Sequence, residues 1–162
     1  MSQIVVLDTG VLGMLVHPSV MGEPLECKNW LKNLILAGAS VYVPEIADYE
    51  LRRELLRIKS LGSIRRLDDL AGSLNYVPIT TLAMRKAAEF WASARTGGMP
   101  TADAKALDAD AILAAQTVLL SGPSDQVIVA TTNVGHLSLF VSARLWRDIP
   151  ASPRRSTEKG PN

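Results

Sequence analysis

Short continuous apolar runs alternate along this chain with longer stretches in which apolar residues recur at helical spacing. The first run, Ile4-Val5-Val6-Leu7, is bounded by Asp8-Thr9-Gly10. It predicts a central strand buried on both faces that ends in a polar turn. Val11 to Val16 predicts a short helix. Pro24, placed at a first helical position, opens an amphipathic helix through Leu25, Trp30, Leu31, Leu34 and Ile35, and Gly38 closes it. Ser40 to Val43 is a second strand, ended by Pro44. From Glu45 to Lys59 the positions Ala47, Leu51, Leu55 and Ile58 repeat at helical spacing.

A further helix is expected over Ser63 to Ala71. Tyr76-Val77-Pro78-Ile79 is a weak strand whose proline places it at a sheet edge. Thr80 caps a helix from Leu82 to Ala94, and Thr96 to Pro100 is a Gly/Pro loop. Leu107 to Leu120 is apolar on nearly every face, which predicts a buried helix, with Asp108 and Asp110 interrupting it near its start. Gln126 to Ala130 is a fourth strand running into Thr131-Thr132-Asn133, and Arg144 to Ile149 a short fifth. Strands separated by helices imply βα units, hence an α/β fold with a mostly parallel sheet.

Composition narrows this reading. The chain has 162 residues and is 48% hydrophobic, enough for one domain over residues 1–149. Residues 150–162, with Arg154 and Arg155, lack apolar content and are expected to be a disordered tail. Aromatics make up only 5%, so Leu, Ile, Val and Ala must build the core. A formal net charge of +1 excludes neither nucleic acid nor any other partner. Cys27 is the lone cysteine, and the N-terminus has no basic flank or cleavage-site pattern. The expectation is a reducing, cytoplasmic setting. No apolar run reaches the roughly 20 residues that span a bilayer, so no membrane association is expected.

In open parallel sheets ligands bind outside the carboxyl ends of the strands. Asp8 and Asn133 fall there on two predicted strands. Glu50 borders the buried face of its helix, and Asp110 lies near the N-terminus of the apolar helix, where the helix dipole favours a carboxylate. Asp8 taken alone could simply satisfy backbone donors, and Glu50 taken alone reads as a solvated helix residue. Several carboxylates on buried sides without matching Lys or Arg nevertheless require a cation. With oxygen donors and no Cys/His cluster, Mg²⁺ or Mn²⁺ suits them better than Zn²⁺. Glu45, Asp48 and Asp108 read more readily as caps or partly exposed charges, His17 has no partner in view, and Cys27 reads as a small buried residue. The run Arg52, Arg53, Arg57, Arg65 and Arg66 divides evenly between a phosphate-contacting surface and solvated helix faces.

Four strings then carry a resemblance. Ile4-Val-Val-Leu-Asp8-Thr-Gly-Val-Leu looks like the "DTS-x-L" opening of PIN domains, and Pro44-Glu-Ile-Ala-Asp-Tyr-Glu50-Leu resembles that family's second motif. Asp110-Ala-Ile-Leu-Ala-Ala is similar to the third, "D-A-x-I-A-A", and Val129-Ala-Thr131-Thr-Asn133-Val-Gly-His136-Leu to the fourth, "T-x-N/D-x-x-H/D-F". The four occur in order and span nearly the whole chain before the tail. The resemblance, which extends to VapC-type toxins, implies a five-stranded parallel sheet in an α/β/α sandwich and metal-dependent cleavage of RNA. It implies Asp8, Glu50 and Asp110 as catalytic metal ligands joined by Asn133, where many relatives carry a fourth acid. Thr9 and Thr131 would orient ligands or phosphate. His136 could position RNA or a water, although a satisfied loop histidine is the simpler reading. The implied partners are RNA and an antitoxin protein; separately, Leu25, Trp30, Leu31, Leu34 and Ile35 supply more apolar surface than one sheet face covers, so this helix is expected to contact an antitoxin or a second copy of the chain.

Two other readings remain at this stage. A PIN-like module that binds RNA or protein with weak catalysis is credible because of Asn133. Asp8-Thr9-Gly10 also matches the active-site triplet of aspartic proteases, but that fold is all-β and uses paired copies, whereas one copy occurs here in a helix-rich context.

Overall fold

The computed structural model describes residues 3–98, 103–122 and 126–152. The order of elements is β1 (Gln3–Leu7), α1 (Thr9–Leu15), α2 (Gly22–Leu36), β2 (Ser40–Pro44), α3 (Glu45–Arg57), α4 (Leu61–Ser73), β3 (Asn75–Val77), α5 (Thr81–Ser93), α6 (Ala104–Val118), β4 (Gln126–Thr131) and β5 (Ala143–Leu145). A π-helical turn at Ala94–Gly98 and 3₁₀ turns at Gly135–Leu139 and Trp146–Asp148 complete it.

The five strands form one sheet in the order β3-β2-β1-β4-β5, and every pairing is parallel. The expected "mostly parallel" sheet is thus wholly parallel. β1 lies at the centre, which explains its unbroken apolar run: side chains alternate across a strand, so both faces of β1 must be apolar. Val5 and Leu7 join the core beneath α1, α2, α3 and α4, while Val6 joins Val129, Leu113, Leu137 and Ile46 on the opposite face. α5 packs outside α6 through Ala83, Ala87, Ala111 and Ala115. The result is an α/β/α sandwich. A wholly parallel sheet also disposes of the all-β protease alternative.

Local signals explain most boundaries. Thr80 Oγ1 accepts from Ala83 N–H and caps α5 as expected, and Asp103 does the same for α6 from Ala106 N–H. The latter cap starts the helix earlier than Leu107. Gly38 ends α2 at φ +88°, with Gly38 N–H donating to Ile35 O and Ala39 N–H to Leu34 O, a left-handed cap that glycine adopts without strain. β3 is an edge strand, and its proline falls just beyond it.

Two expectations are corrected. α2 begins at Gly22, so Pro24 is its third residue, and the helix buries Cys27, Leu31 and Leu34 while leaving Leu25 and Ile35 exposed. The buried stripe runs through Cys27, Leu31 and Leu34, rotated from the expected one through Leu25 and Ile35. Ile58, expected inward, is also exposed: it is the C-cap of α3, and its chain turns there into Lys59 at φ +58°. The loop expected from Thr96 to Pro100 begins as the π-helical turn, and its last residues lie outside the described ones, as does most of the expected disordered tail.

Candidate active site

The register of β1 against β4 sets the centre of the site. Leu7 pairs with Ala130, and the ladder extends one step through Asp8 N–H donating to Ala130 O at 3.0 Å. Asp8 and Thr131 therefore leave the carboxyl ends of adjacent strands side by side. Asp8 is also the N-cap of α1, where its Oδ1 accepts from Thr9 N–H at 2.7 Å. Its Oδ2 accepts from Thr131 Oγ1 at 2.7 Å, and the same hydroxyl accepts from Asn133 N–H at 3.1 Å. Asp8 is thus fixed by its own turn and by the neighbouring strand.

Glu50 comes in from α3. Thr9 Oγ1 donates to its Oε1 at 3.0 Å, and Arg53 Nη2 stands 3.7 Å from its Oε2, longer than a hydrogen bond. Asp110 comes in from the first turns of α6, with His136 Nδ1 of the 3₁₀ turn 3.4 Å from its Oδ2. The Asp110 carboxyl is pushed up to about 6 from an ordinary 3.8, chiefly by burial and then by the negative charge of Asp8, with Glu50 adding to it and His136 opposing. Three acids from three elements therefore share one electrostatic neighbourhood, and Asp110 resists ionisation first because it is buried and then because of the charges of Asp8 and Glu50. Perturbation of this kind is characteristic of functional sites.

The remaining sequence candidates separate. Asn133 sits in the turn after β4, its backbone tied to Thr131 and its side chain exposed. Asp48 is not a partly exposed charge: it is 8% exposed and accepts from Arg52 Nε at 2.9 Å and Tyr76 Oη at 2.7 Å. Glu45 accepts from Ile79 N–H and ties α3 to the segment after β3. Asp108 is exposed on α6, beside a groove of about 380 Å³ lined by Trp91, Met84 and Ile112. His17 Nδ1 accepts from Ser19 N–H. Cys27 is buried, as expected, and burial raises its thiol to about 12. Of the arginine run, Arg52 and Arg66 are used internally, Arg66 Nε donating to Val16 O at 2.7 Å, and Arg57 pairs with Glu54. Arg53 and Arg65 stay exposed.

Three residues have roles that the sequence reading did not assign to them. Gly10, where the resembled signature has Ser, lies under Thr132, and a Cβ there would overlap the Thr132 hydroxyl. Thr132 must rotate before residue 10 can carry a side chain. Arg53 is the cation beside Glu50. Gln116, a strongly polar residue inside the apolar run of α6, is 1% exposed and could have been noticed for that reason alone.

In kind, the donors suit a hard divalent ion: carboxylates, a nearby amide and hydroxyls. In spacing, no three Asp, Glu, His or Cys side chains among the described residues form a group that could hold one ion.

The fold is PIN-like. The crystal structure of VapBC2 from Rickettsia felis bound to a DNA fragment from their promoter is similar to this chain with a TM-score of 0.65, covering 89% of this chain and 99% of that one at 15% identity. At that identity the likeness establishes architecture and not activity. No family model matches the chain, and no curated protein does.

Proposed function

We propose that the protein is a Mg²⁺- or Mn²⁺-dependent endoribonuclease that hydrolyses RNA phosphodiester bonds. The observation that carries this reading is the shared neighbourhood of Asp8, Glu50 and Asp110, in which burial and then the charge of Asp8 raise the Asp110 carboxyl, while among the described residues His136 and a more distant Arg53 offset the charge. Uncompensated acids at the carboxyl ends of parallel strands are arranged for a cation. When bound, a divalent ion supplies an activated water and offsets charge on the leaving oxygen.

The chain's own residues prepare for that chemistry. Thr9 N–H and Thr131 Oγ1 hold the two oxygens of Asp8, leaving its remaining lone pairs free. Thr9 Oγ1 orients Glu50 toward Asp8, and His136 holds Asp110. Such supporting hydrogen bonds orient metal ligands and tune their basicity. Arg53 and Arg65, exposed on α3 and α4, are the members of the arginine run left to meet phosphate.

The likeness to VapBC2 supports a second element of the proposal, that the chain is a toxin held by an antitoxin protein. Val20, Met21, Leu25 and Leu36 remain exposed on and beside α2, apolar surface for such a partner or for a second copy. No helix among the described residues is long and apolar enough to cross a membrane.

The test is cleavage of a single-stranded RNA by the purified full chain with Mg²⁺ or Mn²⁺, and again in excess chelator. Metal-dependent cleavage lost in Asp8→Asn is expected. Undiminished cleavage in chelator would overturn the reading, and tight Mn²⁺ binding without cleavage would favour the weakly catalytic RNA- or protein-binding module.

A further inference from the structure

α3 and α6 lie against each other with a defined order of contacts. Gln116 Oε1 accepts from Ile46 N–H at 3.3 Å, and its Nε2 donates to Val77 O at 2.7 Å. The partners fix which end of the amide is which, because one is a donor and the other an acceptor. Ile46 N–H belongs to the first turn of α3, whose N–H groups have no intrahelical acceptor, and the N-cap there is Pro44, which offers no side-chain cap. Gln116 thus caps α3 from another helix while joining it to the end of β3.

From this clasp the two helices proceed in opposite directions. On α6 the row Gln116, Leu113, Asp110 steps back three residues at a time. On α3, Ile46 and Glu50 are one turn apart on one face. Ile46 packs with Leu113 in the same apolar cluster, and the charge of Glu50 acts on Asp110 at the far end of the row. The buried amide stands at one end of the interface and the two carboxylates at the other.

We infer that Gln116 is a positioning residue that sets the separation of Glu50 and Asp110 by fixing the register of α3 against α6. The inference deepens the metal-dependent reading and rests on it only for its consequence. Without the clasp, Ile46 N–H and Val77 O lose their partner in a buried setting, and α3 can slide or tilt to find water. Such outer contacts typically change metal affinity by about 10–100-fold.

Two measurements decide it, both on the full chain. Calorimetric Mn²⁺ titration should show about tenfold weaker binding in Gln116→Met, a near-isosteric change without hydrogen bonds. Pulsed electron resonance between spin labels at exposed Leu56 on α3 and Lys105 on α6 should show a shifted or broadened separation in the same variant, without interference from buried Cys27. Leu34→Ala, a cavity in the core beneath α2, lowers stability generally and should leave both readouts unchanged. If Gln116→Met does not fold, Gln116→Glu, which keeps the acceptor for Ile46 N–H, is read in the same way. An unshifted separation in the folded variant overturns the inference. Absence of Mn²⁺ binding by the wild-type chain overturns the metal reading instead, while the label separation still decides the role of Gln116.

Discussion

Asp48 and Glu50 are two residues apart on α3 and have opposite surroundings. Asp48 is buried, and every charge near it is answered: Arg52 Nε and Tyr76 Oη donate to it, and Arg52 Nη2 reaches on to Asp68 at 2.8 Å. Burial, followed by the hydrogen bond to Asp48, holds the Tyr76 hydroxyl above its ordinary range, so it remains a donor. Glu50 shares the neighbourhood of Asp110 with Asp8, and its partners among the described residues are Thr9 and the more distant Arg53. An acid that the fold needs is surrounded by donors. An acid left among other acids is kept at a cost to stability, and that cost is what motivates the proposed metal-binding role.

The largest expected effects sharpen that contrast. Asp8→Asn, Glu50→Gln and Asp110→Asn should each lower metal-dependent RNA cleavage by more than about 100-fold, beyond the range typical of outer residues, with the fold intact by circular dichroism. Asp48→Ala should behave in the opposite way. It strips Tyr76 Oη and Arg52 Nε of their shared acceptor, costing about 2 kcal/mol because Arg52 keeps Asp68. Urea denaturation measures this loss, and cleavage by the folded variant should stay within a few-fold of wild type. If Asp48→Ala abolished cleavage while leaving stability untouched, the division between the two acids would collapse.

Next in size is the pH dependence of the metal-free protein. The folded Asp110 carboxyl holds its proton up to about pH 6, whereas the unfolded chain releases it near 3.8. Between those values the folded state binds more protons, so the contribution of Asp110 to stability falls as pH rises through the window and remains unfavourable above it. Asn mimics the protonated acid. Asp110→Asn should therefore melt close to wild type at pH 4 and a few degrees higher at pH 7, about 1 kcal/mol after allowance for partial exposure. A difference in melting temperature that is the same at both pH values would show that burial charge plays no part.

The sheet and its flanking helices were legible because burial leaves a periodic trace: the unbroken run at β1, the cap Thr80, and the glycine closing α2. Asp8 and Asp110 stood out in the sequence as acids beside apolar positions and Glu50 only as an acid bordering a buried helix face, and the structure brings the charges of Asp8 and Glu50 to bear on Asp110. The fate of Asp48 was not legible, because the same pattern arises when an acid is fully partnered, and its partners Tyr76 and Asp68 come from β3 and α4. The burial of Gln116 had a signal, a polar residue inside an apolar run, but its partners did not: they are backbone groups of α3 and β3, and backbone groups leave no signature in side-chain identity. Long-range polar pairing, decided by topology, is the part that a linear pattern conceals.

The smallest expected effect tests the edge of the acidic region. Asn133 follows β4 in a turn fixed by Thr131, whose hydroxyl also holds Asp8, so its backbone position is tied to the site while its side chain is exposed. Asn133→Asp adds a negative charge that solvent screens, and exposed charges contribute well under about 1 kcal/mol to an interaction of this kind. Mn²⁺ should accordingly bind a few-fold more tightly to Asn133→Asp, with the gain shrinking as salt is raised, and slightly more weakly to Asn133→Ala. The substitution should leave stability near wild type, since the hydrogen bond to Thr131 uses the backbone N–H that both variants retain. Equal affinities in calorimetric titration of all three proteins would place Asn133 outside the metal site, serving only the turn, and the acidic neighbourhood would then end at Asp8, Glu50 and Asp110.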